Sequence, residues 1–397
     1  MNQNALSIGD VVEVTTERLA FGGDAVARHE GLAIFVPFAA PGERLRIRIT
    51  ERKRNYARGV IEEILAPSPA RRAPPCSYFG ECGGCQLQHL SYDEQLRAKS
   101  GFVRDALARI GRIPWDREIE IRSAAELGYR SRAQVKIEST SDQLRIGFNH
   151  AASHSVCDVE SCPVLAPELD RAFQRLRSSL ASSDTAFEQP AEVEMALGQT
   201  GVDLEPAMKG FLGAPLSQRI GDMTYSFSAS TFFQVNNLLL EDFAREATAD
   251  YSGRLAVDLY AGVGLFTLQL ARSFDRVIGV ESDSRAARFA RQNISDNKVT
   301  NVEFHNARVE SWLRGLNSVP DLILLDPPRA GAAEAMDEIA KLKPARIAYV
   351  SCDPATLARD LRKLIDARYS LSSVVAFDLF PQTYHVETIA KLTLNLE

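Results

Sequence analysis

Two groups of cysteines stand where they could do chemistry. Cys352 closes the apolar run "RIAYVSC" and is followed by Asp353 and Pro354, where a helix-like pattern begins. Proline suits the first turn of a helix, and the helix dipole lowers the pKa of a thiol at its N-terminus. A thiol so activated is a nucleophile. A lone cysteine is more often a buried packing group, but the Asp-Pro exit argues against burial. The other five, at 76, 82, 85, 157 and 162, fall within 87 residues of one another. In a cytosolic chain such a cluster points to metal rather than to disulfides. "CSYFGECGGC" puts five residues and then two between its cysteines, Cys76, Cys82 and Cys85. With a fourth thiolate they would hold zinc or an iron–sulfur cluster, and spacing alone does not separate the two.

A nucleoside pocket is legible beside Cys352. In "DLYAGVGLF", residues 258–266, Gly262 and Gly264 let the backbone pass close to a ligand at the start of a helix. Glu281 ends the next apolar strand, 23 residues after Asp258, where an acid can accept from both ribose hydroxyls. A dinucleotide turn would want glycine at 267, but the residue is Thr267. A smaller nucleoside fits better, and S-adenosylmethionine is the natural candidate. Asp326 in "LLDPPR" would lie at the same sheet edge, where two prolines hold an extended loop able to wall a base-sized pocket.

A methyl donor and a nucleophilic thiol together suggest one reaction. Carbon 5 of a pyrimidine is a poor nucleophile, but thiolate attack on C6 makes an enolate that takes the methyl group at C5. A base must then remove the C5 proton. Glu387 in "YHVETIAKL" is the candidate base and His385 its rival. Taken alone, Glu387 would more often be an ordinary surface carboxylate.

The elements that must position these groups follow from patterning. From residue 254 apolar strands alternate with amphipathic helices, the sign of a parallel sheet covered on both faces, and two final strands without a helix between them make the last one antiparallel. Residues 8–65 read as short strands and tight turns, a small β-barrel. There, Leu45, Ile47 and Ile49 share one face and Arg44, Arg46 and Arg48 the other, suited either to an RNA backbone or to a solvated edge. "APSPARRAPP" is a linker, and Ser91 with Glu94 forms a capping box for a helix over 91–111. Residues 117–230 mix strands with one helix near 166–181. The chain has 397 residues, 45% hydrophobic and 25% charged, with net charge −6. That fits two or three soluble domains and excludes a uniformly basic nucleic-acid binder. A local basic patch remains between Arg44 and Arg58, with seven basic residues and the single acid Glu51. No signal peptide or membrane span is read, so a cytoplasmic location is expected.

Together these residues resemble the RNA 5-methyluridine (m5U) methyltransferases over nearly the whole chain. "SCDPATLARDL" resembles the family's nucleophile motif, which implies Cys352 as the attacking residue, and "HVETIAKL" its second signature, which implies Glu387 as general base. "DLYAGVG", "GVE", "DPPR" and "STFFQVN" resemble its cofactor motifs, implying that Gln234, Tyr260, Gly262, Glu281, Asn306 and Asp326 touch S-adenosylmethionine. Leu265 departs from the family, which often carries asparagine there. The cysteine cluster resembles the [4Fe-4S] site of many ribosomal-RNA members. That implies Cys76, Cys82, Cys85 and Cys162 as ligands, with Cys157 as rival fourth. The C-x3-C-x2-C run of radical enzymes is absent, so a structural or RNA-holding role is expected.

The fold class implied is α/β: a Rossmann-like class I S-adenosylmethionine-dependent methyltransferase domain at 231–397, an N-terminal TRAM, OB-like barrel at 1–66, and a mixed α+β central domain at 67–230. The expected partner is RNA, 23S ribosomal RNA first and tRNA as the alternative, with no DNA or membrane and a monomeric chain. The target base would be flipped out, with Phe232 or Phe233 stacking on it or packing in the core. Two other readings compete. A non-catalytic RNA-binding factor would not need Cys352, and an N6-adenine or ribose methyltransferase would form no covalent adduct with RNA.

Overall fold

The computed structural model describes residues 6–139, 144–182, 191–208 and 210–395. The first body is a closed barrel of β1 (Val11–Leu19), β2 (Ala25–His29), β3 (Leu32–Val36), β4 (Arg44–Arg52) and β5 (Tyr56–Ala66), in the order β1-β2-β3-β5-β4. Alternation closes it: Leu45, Ile47 and Ile49 are buried inside. On the outer face Arg46 pairs with Glu13 and Glu63, and Arg48 with Glu62. Arg58 pairs with Asp24 and Lys53 with Glu51. These pairings favour the solvated-edge reading and leave less free positive charge here than residues 44–58 suggested.

The linker leads into α1 (Tyr92–Ala106), which runs on into a π turn over Leu107–Gly111. Ser91 is its N-cap residue, but the expected capping box is not formed. The Ser91 side chain makes no capping bond, and Glu94 pairs with Arg97 instead. Gly111 is required by close approach, since a Cβ there would lie 2.9 Å from the carbonyl oxygen of Ala358.

After β6 (Glu120–Arg122) comes a five-stranded antiparallel sheet. It is built from β7 (Arg132–Ser139), β8 (Leu144–Asn149), β9 (Val156–Asp158), β10 (Ala191–Gly198) and β11 (Gly201–Glu205), in the order β11-β10-β7-β8-β9. Its covering helix α2 (Pro167–Ala181) buries Leu169, Phe173 and Leu176 against it. A hairpin, β12 (Leu216–Ile220) and β13 (Met223–Phe227), follows.

The remainder alternates up to its last two strands: α3 (Leu240–Thr248), β14 (Gly253–Leu259), α4 (Leu265–Leu270), β15 (Phe274–Glu281), α5 (Ser284–Asp296), β16 (Val302–Asn306), α6 (Val309–Arg314), β17 (Leu322–Leu325), α7 (Ala333–Leu342), β18 (Arg346–Ser351), α8 (Pro354–Asp366), β19 (Tyr369–Phe377) and β20 (Glu387–Leu394). The sheet order is β16-β15-β14-β17-β18-β20-β19-β6, a doubly wound, Rossmann-like sheet in which β20 alone runs against its neighbours. α3, α4 and α5 pack on one face, and α1, α6, α7 and α8 on the other. The short strand β6 adds an eighth member from outside the alternating region. Among the described residues no helix is long and apolar enough to cross a membrane.

A buried ion pair ties α1 to the loop leading into β20. Lys99 and Asp378 have wholly buried side chains, with Nζ 2.5 Å from Oδ1. Lys99 also donates to the carbonyl of Phe380 at 2.9 Å, and the Tyr92 hydroxyl donates to Asp378 at 3.0 Å. Lys99→Met would strand a buried carboxylate, at an expected cost of about 3–5 kcal/mol. Denaturant unfolding checks it; an unchanged midpoint would refute it.

Candidate active site

The strand ends of the large sheet gather the site. Ser351 lies opposite Thr388 in the antiparallel β18–β20 pair, so Cys352, one residue on, comes level with Glu387, the first residue of β20. Asp326 follows the last residue of β17, the neighbouring strand. Asp353 caps α8, accepting from the amides of Ala355 (2.9 Å) and Thr356 (2.8 Å).

Electrostatics overturn one expectation. The helix start after Cys352 does not leave the thiol activated: burial, with the carboxylates of Glu387 and Asp326, pushes it up to about 12, against a smaller pull from Arg329. Glu387 is buried, and burial with the nearby Asp326 raises its carboxyl well above the usual range, again opposed by Arg329. Burial and Asp258 raise Asp326 as well. The pocket therefore holds more acid than base, and Arg329 is the cation that partly offsets it. The guanidinium of Arg329 donates to Nε2 of His385 (3.3 Å), which fixes that nitrogen as an acceptor. Burial and the surrounding cations push His385 down to about 3. The sequence reading missed Arg329, although its one basic side chain stands in the quoted "DPPR".

The neighbouring turn is shaped for close approach. Tyr260, Gly262 and Gly264 all have positive φ, at 60°, 55° and 89°. For a bulky side chain such as Tyr260 that is a strained conformation of the kind found at binding sites. Its hydroxyl donates to Glu310 at 3.0 Å. The Glu281 carboxylate accepts from the amides of Gly262 (2.9 Å) and Asp283 (2.7 Å), which holds it at the turn. Asn306 spends its side-chain amide on the carbonyls of Glu281 (2.9 Å) and Ser282 (3.0 Å), so it braces the Glu281 loop. Leu265 is buried in the core, where the usual asparagine would have offered a polar group.

Asp258 is a residue that sequence reasoning passed over. It is fully buried; Oδ2 accepts from the Thr267 hydroxyl at 2.5 Å, and Oδ1 has no partner within the protein. Burial first, then Glu281, pushes it up to about 7, against the pull of Thr267. An unpaired buried carboxylate oxygen beside a glycine turn fits a ligand carrying donors. Gln234 is buried too, its carbonyl accepting from Ser131 at 3.4 Å, while Asn236 donates to the Leu379 carbonyl at 3.4 Å. Phe233 is core, stacked on Phe227 at 4.4 Å, whereas Phe232 is 65% exposed.

Comparison with known proteins gives the family and the fold. Residues 209–394 match the tRNA (Uracil-5-)-methyltransferase family, and residues 6–61 match the TRAM domain. An uncharacterized RNA methyltransferase of Aquifex aeolicus is 35% identical over 97% of this chain and 99% of its own. A 23S rRNA (uracil(1939)-C(5))-methyltransferase of Cronobacter sakazakii is 35% identical over 96% of both chains. The chain belongs to the RNA (uracil-5-)-methyltransferase family. Among solved structures, the Pyrococcus abyssi tRNA (uracil-54, C5)-methyltransferase in complex with S-adenosyl-L-homocysteine aligns with a TM-score of 0.74. It is 27% identical, and the match covers 96% of this chain and all of that one. The large sheet is thus a class I methyltransferase domain, and the barrel is a TRAM domain.

This RNA uracil methyltransferase gathers its cysteines as well. Cys76, Cys82, Cys85 and Cys162 line one cavity of about 350 Å³, together with Arg130 and Lys136. The Cys82 sulfur accepts from the Gly84 amide (3.4 Å), and the Cys162 amide donates to Asp170 (2.8 Å). Cys157 packs in the hydrophobic core under α2 and is 2% exposed. Among the described residues no group of three or more His, Cys, Asp or Glu side chains is placed to hold a metal ion.

Proposed function

We propose that this protein methylates carbon 5 of a uridine in 23S ribosomal RNA, with S-adenosylmethionine as donor, Cys352 as nucleophile and Glu387 as general base. One observation carries the reading: strand register puts a thiol and a buried carboxylate level with each other, beside a glycine turn with an unpaired buried oxygen. The ribosomal substrate rests on the Cronobacter sakazakii relative, which matches over 96% of its length. The chain would be divided as 1–66, 67–230 and 231–397.

S-adenosylmethionine, when bound, supplies an electrophilic methyl carbon on a sulfonium. Glu281 would take its ribose hydroxyls, while Gly262 lets the backbone approach. Tyr260, Gln234 and Asp326 would line the same pocket, with Asn306 steadying Glu281. The chain's own steps follow. The Cys352 thiol loses its proton and Sγ bonds to C6, moving the C5–C6 electron pair onto C5 and O4. C5 takes the methyl group as the carbon–sulfonium bond breaks, leaving the sulfur neutral. Glu387 removes the C5 proton, the C5–C6 double bond re-forms, and Sγ leaves. The uridine must be out of its stack for this to happen.

Labelled donor offered to 23S rRNA and tRNA transcripts tests the substrate. Labelled 5-methyluridine in the 23S transcript is expected. The Pyrococcus abyssi relative gives the tRNA alternative its weight, and exclusive labelling of tRNA would replace the present reading with that one. No 5-methyluridine in either RNA would overturn the reaction.

We assign a [4Fe-4S] cluster to the four cavity cysteines. They are all sulfur and they line one cavity, and the choice of iron–sulfur over zinc rests on the resemblance to ribosomal-RNA members of the family. Such a cluster would cross-link the 76–85 loop to the segment before α2. Protein purified without oxygen is expected to carry about four irons per chain. Cys162→Ala should lose them and Cys157→Ala should keep them. One zinc per chain, or the reverse pattern between the variants, would refute the assignment.

A further inference from the structure

A second pocket opens between the TRAM barrel and the methyltransferase domain, and neither the reaction nor the cysteine cluster uses it. Its cavity is about 280 Å³ and is lined from three sides: Phe21, Arg28 and Phe35 of the barrel, Arg109 and Ile110 of the π turn, and Pro354 and Ala355 at the start of α8. The last two follow Cys352 by only two and three residues. The volume lies just below the usual range of ligand pockets, roughly 300–1,000 Å³, and suits one base rather than a duplex.

Three properties make it a nucleotide site. First, aromatic surface is exposed here. Phe21 is 38% exposed although it meets Phe102 (5.8 Å) and Tyr384 (5.2 Å) edge-on, at 82° and 84°. Phe35 is only partly buried and has the Arg58 guanidinium 5.9 Å from its ring centre. Second, charge is favourable. Arg18, Arg28 and Arg109 meet two carboxylates here, Asp105 and Glu17, through ion pairs of 2.6, 3.5 and 4.0 Å. One positive charge is left over for a phosphate. Third, a chain of side-chain contacts links the pocket wall to the reaction site. Phe21 touches Tyr384, Tyr384 touches His385 at 4.2 Å between rings, and His385 is bonded to Arg329, the cation beside Cys352 and Glu387.

The geometry points to this seam as the binding site for one unpaired base of the substrate RNA close in sequence to the target uridine, stacked on Phe21 with its phosphate near Arg28 and Arg109. Stacking on an aromatic face accepts any base, so the site would set grip and register rather than read sequence. It would also require the barrel and the methyltransferase domain to hold the RNA jointly, so that a flipped uridine is delivered at a fixed offset from a clamped neighbour. The inference rests on the proposed RNA methylation.

The test is a coupling measurement. A 23S rRNA fragment centred on uridine 1939, the position named for the Cronobacter sakazakii relative, and a tRNA transcript are first offered as 5-fluorouridine RNA to the unaltered protein. The one that forms a denaturation-resistant adduct is used. Abasic sites are then placed singly at each nucleotide flanking the target, and binding is measured with intact protein and with Phe21→Ala. Phe21→Ala should weaken intact RNA about tenfold. One abasic position should weaken the intact protein equally and add nothing in the variant. Phe21→Trp should restore affinity, which separates a lost stacking face from a damaged fold. Arg28→Gln should flatten the dependence of log affinity on log salt by about one unit. No coupled position, or Phe21→Ala binding as tightly as the unaltered protein, sinks the site while leaving the reaction standing. No adduct with either RNA sinks the reaction first and this inference with it.

Discussion

Replacing Cys352 with alanine is expected to lower kcat by on the order of 10⁴-fold or more, the scale seen when an enzyme loses its nucleophile. The same variant should form no denaturation-resistant complex with 5-fluorouridine RNA. Fluorine at C5 cannot leave as a proton does, so the unaltered protein should stop after methyl transfer with Sγ still bonded to C6. Cys352→Ser should fail almost as badly, because a hydroxyl is far more basic than a thiol and adds poorly to the ring. The partly exposed position of Cys352 predicts little cost to folding. Thermal unfolding should therefore separate lost chemistry from lost structure. Full methylation by Cys352→Ala would exclude the covalent route. An inactive but fully RNA-binding variant that still supports the biological role would favour the non-catalytic reading.

Much of this site was legible because its positions follow from strand ends. Apolar strands alternating with amphipathic helices require a parallel sheet, and the residue after each strand must then appear at one edge. Asp326, Glu281 and Cys352 needed nothing more. The barrel was equally legible, since "RLRIRI" can only put Leu45, Ile47 and Ile49 on one face. What stayed hidden depends on contacts made across the chain. The acidic crowding that holds the Cys352 thiol up requires knowing that Glu387, 35 residues later, sits level with it. The helix start was visible in sequence and pointed the opposite way. The partners of Arg46 and Arg48 lie on other strands, so "RLRIRI" read alone overstated the free charge. Thr267 was read only as a missing glycine, yet its hydroxyl is what Asp258 needs. Strand β6 has three residues, too few for any periodicity, and exists because β19 leaves an edge for it.

Glu387→Gln is expected to trap the reaction two steps later than Cys352→Ala stops it. Glutamine keeps the shape of the side chain, so attack on C6 and methyl transfer remain possible, but it cannot take the C5 proton. A covalent protein–RNA species carrying a methylated ring should therefore accumulate on ordinary uridine RNA, with turnover lower by on the order of 10³-fold. Gel mobility after denaturation, followed by mass analysis, would detect it. His385→Ala should give no such species: the ring is held neutral, with Nε2 accepting from Arg329, and is too weak a base to hold the proton. If His385→Ala accumulates the adduct and Glu387→Gln turns over normally, the roles are reversed. The same carboxyl predicts a pH signature. Its pKa is raised in the folded protein, so the folded state binds the proton more tightly than the unfolded one. Stability is then greatest below the unfolded pKa of about 4.3 and declines as pH rises toward the folded value. Glu387→Gln removes that decline, so its melting temperature should exceed the unaltered protein's at pH 8, by roughly 2 °C for each kcal/mol relieved, with little difference at pH 4. Activity runs the other way: both the base and the thiol must lose protons they hold tightly, so kcat/KM of the unaltered enzyme should climb from pH 6 to pH 9. Stability falling while activity rises over one pH range would locate both effects in the acidic pocket that Arg329 only partly offsets. A flat activity profile would mean that neither proton is lost in forming the transition state.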